Sequence, residues 1–272
     1  MEKPKQQNPI LWEPSRLSLE GSFLSQFARH IEGKYSQKFQ CDYKTFHTWS
    51  VERKEDFWRE LLLEYGGPFE GSADTVFIPN KTKEFFGGQW FPGIKFNYAE
   101  NILSQIGENP LVALNEVGER KEWTREQVLK EVTSLQKYFL DRGLQPGDKV
   151  AAYIANVGEA IIAMLAVTSL GGVWSSCSPD FGVKGVLDRF QQIDAKFFIC
   201  AEKSYYGGKS FDLHSKNKEI LEGLNTVEHI LFLGENGVEG GVSYQEVLKA
   251  KNEHALKFVR LCLLYTSPSP RD

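Results

Sequence analysis

The stretch Tyr205-Tyr206-Gly207-Gly208-Lys209-Ser210 carries the residue types best suited to holding an anion. Two glycines let backbone N–H groups approach a ligand, and an ammonium and a hydroxyl follow. Gly208-Lys209-Ser210 repeats the end of the phosphate loop G-x-x-x-x-G-K-[ST], but that pattern requires glycine at position 203, where the chain has Lys203. A phosphate loop of that type is excluded, and the plain alternative for Lys209 is a solvated loop lysine. Asn156-Val157-Gly158 stands where a dinucleotide-binding G-x-G-x-x-G would begin, which disfavours hydride chemistry. Cys41, Cys177, Cys200 and Cys262 form no Cys-x-x-Cys pair, and His30, His47, His214, His229 and His254 show no ligand spacing. Metal ligation is therefore not expected, and buried structural thiols are the simpler reading of Cys177 and Cys200.

The elements that must position this stretch are two consecutive βαβ units over 149–201. The run 149–154 follows the turn Gln145-Pro146-Gly147-Asp148 and suits a strand buried on both faces. Asn156 and Glu159 have capping-box spacing, and 160–167 is apolar all round, so a deeply buried helix is expected, ended by Gly171-Gly172. A second strand at 173–175 comes next, then a helix opened by Pro179-Asp180 with Val183, Val186, Leu187 and Phe190 on one face. A third strand at 196–200 completes the pattern. Right-handed crossovers make all three strands parallel. The fold class is α/β: a helical lead-in followed by a Rossmann-like parallel sheet. The polar loop 202–210, which contains the Gly-Lys stretch, leaves the carboxyl end of the third strand, where open α/β sheets bind ligands.

Composition excludes several function classes. A hydrophobic content of 41% supports a real core, and 32 Lys plus Arg against 36 Asp plus Glu give a net charge of −4. No basic footprint for nucleic acid or an anionic membrane surface follows. No apolar run approaches the roughly 20 residues of a transmembrane helix, and the start lacks a signal-peptide core. Together with the dispersed cysteines this points to the cytosol.

In the lead-in, residues 1–20 read as a polar arm anchored by Leu11 and Trp12. Helices are expected at 22–35, with Phe23, Phe27, Ile31 and Tyr35 on one ridge, and at 50–65, capped by Ser50 and burying Phe57, Trp58, Leu61, Leu62 and Tyr65. The aromatic segment 85–103 reads as packing rather than cofactor stacking. A hairpin joins 111–115 to 121–123, and a helix starts at Thr124 with Gln127 completing a capping box. Its Val128, Val132, Leu135 and Phe139 face the core, and Gly143 closes it. Helices at 215–224 and 244–251 flank a strand at 229–233.

Three segments, FWRELLLEYGGPFEG, FFGGQWFPGIKFNYAENIL and GGVWSSCSPDFGVKGVLDRFQQIDAKFFICA, resemble the amino-terminal part of the acetoacetate–CoA ligases, a branch of the adenylate-forming acyl-CoA synthetase superfamily. The resemblance covers nearly all of residues 8–260. Its SPDFG run, with GVLDRF after it, separates this branch from the acetate and propionate ligases. It implies a cytosolic enzyme of lipid metabolism that uses ATP, Mg²⁺ and CoA to make acetoacetyl-CoA through an acyl-adenylate. The implied partners are small-molecule substrates, with no nucleic acid and no membrane insertion. The implied domains are an amino-terminal segment over 1–104 and the first part of the AMP-binding domain over 105–261.

One site carries over from the resemblance. In related enzymes a loop of the form Arg-x-Gly-Arg binds the 3′-phosphate of CoA, and it aligns with Tyr206, Gly207, Gly208 and Lys209. Lys209 keeps a cation. Tyr206 replaces the first arginine and offers only a hydroxyl or a ring face, so bidentate recognition is not carried over. Residues 262–272 depart from the family pattern where its phosphate loop is expected, and read as a non-native tail that packs against nothing. On that reading the ATP site and acyl pocket are missing, no catalytic residue is assigned, and the chain itself is inactive. The alternatives are a ligase for acetate or propionate and a non-catalytic CoA-binding short form.

Overall fold

The computed structural model describes residues 11–39, 42–79, 88–108 and 111–262. The chain forms two compact units, Met1–Gly66 and Gly67–Asp272.

The first unit contains α1 (Arg16–Glu20), α2 (Phe23–Tyr35), α3 (Tyr43–Glu52) and α4 (Lys54–Tyr65). Ser22 caps α2 by accepting the Ser25 N–H, and the ridge buries Phe27 and Ile31. The helix expected from Ser50 onward is instead two helices. Asp42 caps α3 through its carboxylate, and Ser50 lies in the last turn of α3, its hydroxyl donating to the His47 carbonyl. The break has a local cause: Glu55 and Asp56 fill the first turn of α4, where carboxylates favour a helix start, and Asp56 pairs with Arg53 and Arg59. Trp58 is 43% exposed, contrary to expectation, and the most deeply buried side chain of α4 is Glu60. Phe27, Ile31, Phe39, Phe46 and Trp49 form the core, with rings meeting mostly edge to face. Leu11 and Trp12, expected as buried anchors, are exposed.

The second unit begins with β1 (Phe69–Gly71), β2 (Phe77–Ile78), β3 (Gln89–Trp90), β4 (Ile94–Phe96) and α5 (Tyr98–Ser104). Phe91, Ile94, Ala99 and Leu103 are buried, so the described part of the aromatic segment packs as expected. The hairpin β5 (Leu111–Leu114) and β6 (Arg120–Trp123) leads into α6 (Arg125–Asp141), where both halves of the Thr124–Gln127 capping box form. There follow β7 (Lys149–Tyr153), α7 (Gly158–Ser169), β8 (Val173–Cys177), α8 (Val183–Phe190), β9 (Phe197–Ala201), β10 (Lys203–Tyr206) and β11 (Lys209–Asp212). Then come α9 (His214–Glu222), β12 (His229–Leu233), β13 (Val242–Ser243), α10 (Tyr244–Lys249) and β14 (Leu261–Cys262).

The main sheet has the order β13-β12-β9-β7-β8, and every pair is parallel. The βαβ reading requires the parallel direction, and the structure adds the order: Val150 lies opposite Trp174 on one side and Phe197 on the other. β7 is flanked by strands on both edges and β9 likewise, which is why both are apolar without alternation. Because β8 and β9 lie on opposite sides of β7, right-handed crossovers place α7 and α8 on opposite faces. Buried polar side chains then strap the stretch before β14 onto α5, α6 and α7. Asn97 donates to the carbonyls of Thr168, Ser169 and Val259, Gln136 to that of Lys257, and Arg260 grips Glu100 with two bonds of 2.7 and 2.6 Å. Of the segment expected to pack against nothing, Cys262 pairs with Lys95 in the β14–β4 ladder, and 263–272 lie outside the described residues.

Two helix starts differ from expectation. α7 has Val157 at its cap with no side-chain bond, and Glu159 is paired with Lys121 at 2.6 Å instead of completing a box. α8 opens at Val183, three residues after Pro179-Asp180, because Ser178 and Asp180 bond each other in a local turn. At the first of these starts, a Cβ on Gly158 would overlap the six-membered ring of Trp123, which is itself 2% exposed. Gly158→Val should therefore destabilise the second unit by about 3 kcal/mol. Urea unfolding checks this, and an unchanged midpoint would show that the ring can move aside.

Candidate functional site

The strand order reverses at β7, since the chain passes from β7 outward to β8 and then returns across to β9. Loops leaving β7 and β9 therefore diverge, and a crevice opens beyond their carboxyl ends. A cavity of about 510 Å³ lies there, walled by the β5–β6 hairpin, the turns at 155–157 and 178–180, and β10. A second space of about 470 Å³ continues along the ends of β7, β9 and β12.

Buried polar contacts hold these walls. The Tyr153 hydroxyl, under the sheet's end, donates to the carbonyls of Pro179 and Phe181 at 3.0 and 3.1 Å, fixing the turn after β8. Burial pushes its pKa up, with the neighbouring Asp180 adding to the effect, so the phenol remains a donor. Glu202 fixes the turn after β12 by accepting from the Asn236 side chain and from the N–H groups of Glu235 and Asn236. Those bonds hold its carboxyl below the usual range. On the hairpin side, Lys121 sits 4.3 Å from the centre of the Trp123 ring, and the indole N–H donates to Glu131.

The expected Gly-Lys loop is in fact a β-hairpin. β10 and β11 pair antiparallel through Tyr206 opposite Lys209, and only Gly207 and Gly208 turn the chain. Their φ angles of 57° and 71° are both left-handed, as a two-residue type I′ turn demands. The glycines thus have a geometric role before any ligand is considered. Of the four candidate residues, Tyr206 lines the cavity, while Gly207, Gly208 and Lys209 are exposed at the hairpin tip beyond it and are not part of the lining. Tyr206 and Lys209 are cross-strand neighbours and project to one face. The Lys209 ammonium has no hydrogen bond or ion pair among the described residues, and Tyr206 is 64% exposed. The Gly207 N–H donates to the carboxylate of Glu116, at the apex of the β5–β6 hairpin.

Sequence reasoning missed most of the walls: Glu116, Asn156 and the Ser178–Asp180 turn. Asn156 and Ser178 follow the carboxyl ends of parallel strands, and that position was a usable signal. Glu116 lies 91 positions from Gly207 and gave none. Carboxylates outnumber ammonium groups in the lining, with Glu116, Glu119, Glu159 and Asp180 against Lys121 and Lys203. Lys121 is paired with Glu159 and Lys203 lies 3.7 Å from Glu202, so the lining offers a polyanion little free positive charge. Cys177 and Cys200 are buried, and burial pushes both thiols up, Cys200 to about 12, as expected of structural cysteines. Among the described residues no three His, Cys, Asp or Glu side chains converge to hold a metal ion, and no helix is long and apolar enough to cross a membrane.

The family profile described as AMP-binding enzyme matches residues 106–269. The chain is 33% identical, over 92% of its length, to the acetoacetyl-coenzyme A synthetase of Rhizobium meliloti (strain 1021), covering 39% of that protein. It is 34% identical to the acetoacetyl-CoA synthetase of Macaca fascicularis over 82% of this chain and 33% of that one. Its fold matches the structure of acetoacetyl-CoA synthetase from Streptomyces lividans with a TM-score of 0.86 and 28% identity, over 94% of this chain and 40% of that one. The chain thus spans between a third and two fifths of the length of these relatives.

Proposed function

The chain belongs to the AMP-binding enzyme family, and from that premise we propose that it acts in acetoacetate–CoA ligation, contributing the surface that receives the nucleotide end of CoA. In the proposed reaction a carboxylate oxygen of acetoacetate attacks the α-phosphorus of ATP and pyrophosphate leaves. The CoA sulfur then attacks the acyl carbon of the adenylate, losing its proton, and AMP departs. Mg²⁺ would shield the triphosphate when bound, but the described residues offer no cluster to hold it, and no step is assigned to them through the metal. The substrates are small molecules, and the compartment we propose is the cytosol.

The observation that carries this reading is the rim of the crevice. An unpaired ammonium, Lys209, stands beside a glycine turn and an exposed tyrosine ring, at the carboxyl end of the strands flanking the switch point. Lys209 supplies charge to the 3′-phosphate, the turn lets the phosphate approach the backbone, and Tyr206 gives the adenosine a ring to lie against. The test compares CoA with 3′-dephospho-CoA by calorimetry. Lys209→Ala should weaken CoA about tenfold and leave 3′-dephospho-CoA unchanged. Equal losses for both ligands would remove the phosphate role.

A further inference from the structure

The Gly207 N–H, at the tip of the β10–β11 hairpin, is already occupied. Its partner is a carboxylate of the same chain, Glu116. That residue is exposed at the apex of the β5–β6 turn and has no cationic partner among the described residues. Its neighbours are engaged differently. The Asn115 side chain accepts from the N–H groups of Val117 and Glu119 and donates to the Glu119 carboxylate at 2.7 Å, so Glu119 is held inside its own turn while Glu116 reaches outward. The contact ties two hairpins together across the mouth of the 510 Å³ cavity, which both of them wall.

We propose that Glu116 is a resident competitor for the CoA phosphate: its carboxylate holds the hairpin tip in the free protein and sets how strongly the rim prefers CoA to 3′-dephospho-CoA. The inference rests on the reading that the tip receives that phosphate. One N–H cannot serve a carboxylate and a phosphate at once, and a phosphate drawn to Lys209 must approach the Glu116 charge or displace it. Lys209 attracts and Glu116 repels at one rim, so discrimination between the two ligands is the difference of two opposed charges. Displacing Glu116 also frees the β5–β6 apex from the tip, so phosphate binding and opening of the mouth are the same event.

The test uses the 272-residue chain with Glu116→Gln, which keeps an acceptor for Gly207 but removes the charge, and Glu116→Ala, which removes both. Glu116→Gln should tighten CoA about fivefold and leave 3′-dephospho-CoA unchanged. The Gly207 amide should exchange with solvent faster in Glu116→Ala than in the wild type without ligand, and adding CoA to Glu116→Ala should slow it again. If the wild type prefers CoA and Lys209→Ala abolishes the preference, but Glu116→Gln leaves it unchanged or lowers it, the competitor role is overturned while the phosphate site stands. If the wild type binds both ligands equally and Lys209→Ala has no effect, the underlying reading has failed and the inference goes with it. A Gly207 amide equally protected in wild type and Glu116→Ala would also overturn it.

Discussion

Incubated with acetoacetate, Mg·ATP and CoA, the 272-residue chain is expected to release no pyrophosphate above a heat-unfolded control. Adenylation proceeds through positioned cations and backbone donors around a triphosphate, and each such donor typically changes the rate by roughly a hundred- to a thousandfold. Among the described residues none converge on a metal ion, and the one unpaired cation assigned a role, Lys209, is proposed for the far end of CoA. The chain matches 40% of the Streptomyces lividans protein, so the same region can be exchanged between the two. The chimera carrying this chain's residues 11–261 should regain acetoacetate-dependent pyrophosphate release. Release by the chain alone would refute the proposed division of labour. A folded chimera that binds CoA but stays inactive would count against this chain as the functional counterpart of that region.

The second large effect is expected in the helical unit. The Glu60 side chain is 2% exposed and accepts from His30 Nε2 at 3.0 Å, Lys34 Nζ at 2.8 Å and the Tyr35 hydroxyl at 2.9 Å. Burial pushes this carboxyl up, but the bonds from His30, Lys34 and Tyr35 outweigh it, and its pKa lies below the ordinary value. A carboxylate depressed on folding stabilises fully above its unfolded pKa of about 4.3, and that contribution is lost as pH falls through the folded value. Tyr35 behaves oppositely. Burial and its bond to Glu60 raise it to about 12. The neutral phenol therefore stabilises below its unfolded pKa of about 10, and that part is lost as pH rises toward the folded value. Glu60→Ala leaves three donors without their shared acceptor. Because Lys34 and His30 are partly exposed and can rehydrate, the cost should be about 2–3 kcal/mol, below that of a fully buried pair. Amide exchange across α2 and α4 reads it directly, and the acid and alkaline losses of protection should both shrink in the variant. An acid limb that survives Glu60→Ala unchanged would assign the titration to another group.

The elements of this protein were legible because they arise from local rules. A continuous apolar run between turn signals produced β7 and β9, and the Thr124–Gln127 pair produced the start of α6. The family was legible from the SPDFG run and its flanks, and the profile match and the relatives bear it out. Local rules also misled where two signals competed. Ser50 had cap chemistry, yet Asp42 upstream and the Glu55-Asp56 pair downstream set the real boundaries. Pro179-Asp180 looked like a helix start, and a bond between Ser178 and Asp180 used it for a turn.

What the sequence by itself determined, then, is the succession of strands and helices over 111–201, the α/β class and the placing of a glycine-lysine stretch at a strand's carboxyl end. Each depends on residues within one turn of helix or one strand of each other, where hydrogen-bond periodicity and capping act. Tertiary structure alone decided that β7 lies between β8 and β9, that Gly158 must leave room for the Trp123 ring, and that the Gly207 N–H meets Glu116. Those facts join positions from 24 to 91 residues apart in the chain, fixed only when helices on both faces of the sheet bury its strands and bring the two hairpins across the same crevice.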